Sequence, residues 1–196
     1  MNRRKVNRRK VLQGLAASGV LASLGLPFTS AFAQSTGMLS AFGNRRSVRN
    51  SLIYAGNLFS ILADKKSTGG SYGLMEVTVV QGREAPPHTH SKEDEIFYVL
   101  SGEVSFVSGE VVNEAKAGDM VFQPRGVLHS FKVKTPSARM LILFTPGGLE
   151  EAYQRLGTAA QTLTTPTSFT PPSPADLGRI LGVFGEYGLT FPPPRS

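Results

Sequence analysis

Residues 82–102 read GREAPPHTHSKEDEIFYVLSG, and the spacing within this stretch decides how the chain folds. His88 and His90 are two apart, so on an extended segment, where side chains alternate between faces, both imidazoles project from one side. Glu95 then opens the apolar run Ile96 to Leu100, which reads as a strand. Residues 118–129, GDMVFQPRGVLH, supply His129, the last of only three histidines in the chain. Three imidazoles and one carboxylate without sulfur suit one divalent transition metal, with Fe, Mn, Co, Ni, Cu and Zn all open. A structural zinc site is closed by four ligands and usually contains cysteine. The chain has no cysteine, which excludes disulfides, thiolate ligands and a cysteine nucleophile.

On either side of these segments the pattern is one of short strands. Two apolar stretches flank Gly56-Asn57 between Leu52 and Ala63, and residues 72–80, 95–100, 103–107, 111–112, 120–122, 129–133 and 139–144 follow. Many short strands divided by turn signals predict an all-β barrel or sandwich. Ser108-Gly109 reads as a tight hairpin, and in Pro124-Arg125-Gly126 proline presets φ while glycine is free to take the left-handed position. Beyond the last strand, Leu149, Ala152, Tyr153 and Leu156 follow the i, i+3, i+4, i+7 rule of a helix face, with Gly157 as its stop. A Thr/Pro-rich loop over residues 158–173 precedes a second short helix opened by Pro174, with Leu177, Ile180, Leu181 and Phe184 at helical spacing. Gly178, Gly182 and Gly185 weaken that helix.

The formal charge of +7 is concentrated at the amino end, where Arg3, Arg4, Lys5, Arg8, Arg9 and Lys10 hold six of the 21 basic residues. Beyond residue 33 there are 15 basic and 14 acidic side chains. Nucleic-acid binding rests on clustered Lys and Arg, so a nucleic-acid partner is not expected. Basic residues 1–10, an apolar stretch from Val11 to Leu26 and Ala31-Phe32-Ala33 have the form of a signal peptide cut after Ala33. Asn7-Arg8-Arg9-Lys10-Val11-Leu12-Gln13 resembles a twin-arginine export signal. The apolar stretch, broken by three glycines, falls short of the roughly 20 residues that span a bilayer, so no stable membrane span is expected after cleavage and the mature chain is expected to be periplasmic or secreted. The resulting division is 1–33 signal peptide, 34–50 linker, 51–146 β-barrel, and 147–196 C-terminal helices and loop packed on the barrel.

The two central segments resemble the paired motifs of the cupin superfamily: Gly82, His88-x-His90, Glu95 and Gly102, then Gly118, Pro124-x-Gly126 and His129. The second motif departs from the pattern at its end, where the family often has Asn and this chain has Val133. The resemblance implies a small antiparallel jelly-roll barrel with one or two short C-terminal helices, enclosing a metal on His88, His90, Glu95 and His129. Pro86-Pro87-His88, Glu93 to Val99 and Phe144 to Glu151 are similar to the quercetin dioxygenase-like single-domain cupins. That resemblance implies a metal-dependent dioxygenase acting with O2 on a flavonol-like or other enolisable aromatic substrate, with Glu95 also accepting the flavonol proton; the wider cupin resemblance implies a homodimer, since cupin relatives are commonly dimers. By strand alternation Phe97 and Val99 share the face of Glu95, and Phe131 and Val133 that of His129, giving four candidate substrate-pocket residues whose plainer reading is barrel core. Arg125 is a candidate for steering an anionic substrate. Two other readings stay open: a non-catalytic metal-dependent binding protein, and another cupin chemistry such as isomerisation or decarboxylation. A deep apolar cavity beside the metal would favour the dioxygenase.

Overall fold

The apolar stretches form two antiparallel sheets that face each other in a jelly roll, in a computed structural model that describes residues 39–192. The expected signal peptide lies outside the described residues. The strands are β1 Ser51–Tyr54, β2 Asn57–Ala63, β3 Gly73–Val80, β4 Thr89–His90, β5 Asp94–Ser101, β6 Glu103–Ser108, β7 Val111–Lys116, β8 Met120–Gln123, β9 His129–Val133, β10 Ser137–Thr145, β11 Thr158–Ala159 and β12 Leu189–Thr190. Helix α1 is Glu150–Leu156 and α2 is Pro174–Glu186. The larger sheet runs β11-β1-β2-β3-β10-β5-β8 and the smaller β7-β6-β9, while β12 pairs with β4.

Alternation does the sorting between faces. Met75, Val77 and Val79 of β3, and Met140, Ile142 and Phe144 of β10, point inward and are at most 4% exposed. Phe97 of β5 meets Phe106 of β6 at 4.9 Å and Phe131 of β9 at 5.5 Å between ring centroids, so aromatic contacts tie one sheet to the other. Gly126, at φ +78, turns the chain between β8 and β9 in the left-handed region that glycine tolerates.

Both helices form where helical spacing places them. Gly157 is the C-cap of α1, but its φ of −83 is extended rather than left-handed. Glycine is needed there for room, since a Cβ would lie 2.6 Å from Leu52 Cδ1. Helix α2 begins with Pro174 behind the cap Ser173, whose side chain accepts a hydrogen bond from the Asp176 amide. The segment before β1 lies against the barrel: Asn44 Nδ2 donates to Leu62 O, and the Arg46 guanidinium donates to Glu76 and to Leu163 O. Among the described residues no helix is long and apolar enough to cross a membrane.

Candidate metal centre

The three histidines and Glu95 come together because backbone pairing forces them to. His88 and His129 exchange backbone hydrogen bonds at 3.0 and 2.9 Å, which sets their rings side by side with centroids 4.6 Å apart. His90 is held on β4 by pairing with Leu189 of β12, and Glu95 faces inward from β5. One ligand atom from each of His88, His90, Glu95 and His129 lies within 4.8 Å of the others, and all four residues are buried. Glu95 Oε2 is 3.3 Å from His129 Nε2 and 3.6 Å from His90 Nε2.

The tautomers follow from what faces the outer nitrogens. His88 Nδ1 is 2.9 Å from Pro86 O and His129 Nδ1 is 3.0 Å from Val127 O. A carbonyl only accepts, so each Nδ1 carries the hydrogen and each Nε2 turns a lone pair to the cluster. Burial pushes His88 down to about 4, against the raising effect of Glu95, so it is a neutral ligand at pH 7. Burial acts on Glu95 in the opposite sense, but His129, His90 and His88 outweigh it and hold its carboxyl below the usual range. For His129 burial lowers the pKa, yet the Glu95 carboxylate 3.3 Å away prevails and the net shift is upward.

This donor set fits a divalent transition ion. Glu95 Oε2 and His129 Nε2 are buried without a hydrogen-bond partner among the described residues. His88 Nε2 and His90 Nε2 stand 3.1 Å apart, a gap that a hydrogen on one of them or a cation beside both would bridge. Buried acceptors converging on one point from β4, β5, β9 and the segment just before β4, two of them without a partner, are what a metal site requires.

A cavity of about 250 Å³ adjoins the cluster on the side of His88 and Glu95. Its walls are mostly apolar and include Phe59, Ile142 and Phe131 from the sheets, Tyr153 of α1, and Ile180 and Phe184 of α2. Phe191, beyond β12, packs against the His88 ring at 5.7 Å between centroids. Burial raises the Tyr153 hydroxyl well above its usual range, with the charge of Glu95 adding to the effect, so it stays a neutral donor.

Of the four candidate pocket residues, Phe131 lines this cavity. Phe97, Val99 and Val133 instead lie in the core between the sheets, at 2%, 0% and 3% exposure. Arg125 does not present a free guanidinium. It grips Asp94 through Nε at 3.0 Å and Nη2 at 2.8 Å, pinning the turn before His129 to β5. The helical wall residues Tyr153, Ile180 and Phe184 were legible as apolar helix faces, but nothing in their spacing distinguishes packing on a barrel from walling a cavity.

Residues 75–145, which contain the whole cluster, match the family model described as a cupin domain. A quercetin 2,3-dioxygenase of Aspergillus japonicus is 36% identical over 129 residues, covering 59% of this chain and 35% of that protein. A quercetin 2,3-dioxygenase of Bacillus subtilis is 24% identical over 106 residues, covering 54% of this chain and 32% of that protein. The chain thus spans about a third of the length of these curated relatives. Among solved structures, an RmlC-like cupin from Shewanella frigidimarina is similar with a TM-score of 0.47 at 20% identity, over 56% of this chain and 96% of that one. KdgF from Halomonas sp. gives 0.45 at 21% identity, over 50% and 88%. Likeness of this degree carries nothing about substrate.

Proposed function

We propose that this chain, which carries a cupin domain resembling quercetin 2,3-dioxygenases, is an exported metal-dependent dioxygenase acting on a flavonol-like or other enolisable aromatic compound. The observation that carries this reading is the apolar cavity that meets the cluster at His88 and Glu95. His88, His90, Glu95 and His129 would hold one divalent transition metal. Bound there, a redox-active ion such as Fe, Mn, Co, Ni or Cu would supply Lewis acidity toward an enol oxygen and one-electron chemistry toward O2. The chain itself supplies the rest. Phe59, Phe131, Ile180 and Phe184 grip a planar ring system and exclude water, the Tyr153 hydroxyl offers a hydrogen bond, and Glu95 accepts the enol proton.

The test is to load the purified protein with Fe, Mn, Co or Ni in turn and follow O2 uptake with quercetin. Uptake with at least one metal is expected. Tight metal binding with no uptake under any metal would sink the dioxygenase reading, and quercetin binding in that case would favour a metal-dependent binding protein. His88→Ala and His129→Ala should each abolish most metal occupancy, and unchanged metal content in both would refute the ligand set. Export rests on the amino-terminal pattern alone. Replacing Arg8-Arg9 with Lys-Lys should block it if the route is the twin-arginine one.

The expected homodimer has a candidate seat on the outer face of the larger sheet. Tyr98, Met120 and Phe122 are 42%, 60% and 50% exposed, and register sets Tyr98 opposite Met120 and Ile96 opposite Phe122. Leu141 and Leu143 of β10 stand opposite Tyr98 and Ile96, continuing the apolar patch across the sheet.

A further inference from the structure

Two of the three clustered imidazoles are oriented by backbone carbonyls, and the third is not. His90 Nδ1 is buried and has no hydrogen-bond partner among the described residues. What faces it is Glu93 Oε2 at 3.7 Å, an atom that is also buried and also without a partner. Glu93 is 4% exposed. A buried carboxylate left unpaired is costly, and this chain shows how one is otherwise satisfied: Glu150, fully buried, accepts from the amides of Lys65 and Gly148. Glu93 has the imidazole of His90 instead.

Glu93 lies just before β5 and continues its alternation of faces. Glu93 and Glu95 are two apart and both turn inward, so the His90 ring lies between two carboxylates, with Nδ1 toward Glu93 and Nε2 toward Glu95. A hydrogen on Nε2 could be given to His88 Nε2 at 3.1 Å, but it would leave the Nδ1 lone pair facing the Glu93 carboxylate and repelled by it. With the hydrogen on Nδ1, Glu93 gains a charge-assisted donor and Nε2 turns its lone pair to the other ligands, where a cation resolves the crowding.

We propose that Glu93 is a positioning residue that fixes His90 as the Nδ1–H tautomer and so directs its Nε2 to the metal. This rests on the metal reading above. Unlike the carbonyls behind His88 and His129, Glu93 faces its imidazole with a carboxylate, which adds to the field that attracts a divalent cation. The gap of 3.7 Å closes to a hydrogen bond with a shift of under about 1 Å in either side chain.

The experiment uses the full chain with Glu93→Gln, which keeps an acceptor without charge, and Glu93→Leu, which removes both. Metal affinity is read by competition of Zn(II) against a chromophoric chelator. A loss of roughly 10- to 100-fold is expected for Glu93→Leu, with partial recovery in Glu93→Gln. Side-chain 15N NMR of the metal-free chain gives a second readout, with His88 and His129 as internal controls. His90 should show hydrogen on Nδ1 in the parent and lose that preference in Glu93→Leu, while the other two rings keep theirs. Should Glu93→Leu not fold, Glu93→Gln carries the same comparison through a shifted Nδ1–H resonance. A His90 tautomer and Zn(II) affinity indifferent to both variants would overturn the proposal. If the parent binds no metal, the reading above fails while the metal-free NMR still decides the role of Glu93.

Discussion

Glu150 and Arg125 show how differently two charged side chains hold this molecule together. The Glu150 carboxylate is wholly buried and accepts from the amides of Lys65 and Gly148, joining the loop before β3 to the start of α1. A Cβ at Gly73 would overlap that carboxylate. Glu150→Ala strands the buried Gly148 amide, at about 1–3 kcal/mol, and takes the acceptor from the partly buried Lys65 amide, so thermal unfolding should drop by several degrees. Gly73→Ala should destabilise in the same direction by about 1–3 kcal/mol, because the carboxylate cannot move without leaving its donors. A melting temperature unchanged in both variants would refute this account. Arg125 sits on the surface instead. Its hydrogen bonds hold Asp94 down to about 2, from the usual 3.8. A carboxyl depressed in the folded state contributes stability above its unfolded pKa and loses it as pH falls through the folded one. The difference in urea midpoint between the parent and Arg125→Gln should therefore persist at pH 5 and close between 3.8 and about 2.

At the scale of elements, α2 is the wall that the sequence marks as weakest. Gly178 and Gly182 lie inside it, and a Cβ at either meets nothing within 4 Å. Gly178→Ala and Gly182→Ala should each stabilise by about 0.5–1 kcal/mol, partly by restricting the unfolded chain, and raise the melting temperature by a few degrees. A fall in melting temperature would mean that these positions pack against something. Such helices were legible because 3.6-residue spacing extends over several turns. The paired strands β4 and β12 were not, since two residues each are too few to show a period. The cluster was legible for the opposite reason: His88-x-His90 and Glu95 lie on adjoining extended segments, where alternation fixes the face. Alternation fixes face but not depth. Phe97, Val99 and Val133 point inward as expected, yet they meet the opposite sheet, and only nearer the mouth, at Phe131 and Ile142, does the interior open into a cavity. Glu93 went unread because a carboxylate before a strand is usually solvated; its burial depends on His90 lying across from it.

For the whole molecule, the outer face of the larger sheet divides into two unequal halves. Over β2 the chain covers itself: Leu58 and Ser60 are 1% and 0% exposed, and Arg46 ties the segment before β1 to Glu76 and to Leu163. Over β5 and β8 the described residues leave Tyr98, Met120 and Phe122 open, on the order of 300 Å² of large side chain from these three alone, already the size of the largest apolar patch on an ordinary monomer. The neighbouring Ile96, Leu141 and Leu143 extend it toward the roughly 800 Å² per partner of a standard interface. Asp119 beside Met120, and Arg139 in register with Ser101 and 3.7 Å from Glu76, put charges of both signs at the rim, which is compatible with a face that meets its own copy about a two-fold axis. The full chain should therefore run as a dimer in light scattering at micromolar concentration. Phe122→Glu, which sets a charge at the centre of the patch, should yield a monomer that still binds metal as the parent does. A parent that is monomeric at tens of micromolar would refute the second copy as occupant, and a parent that dimerises only once residues 1–38 are removed would assign the face to that segment instead.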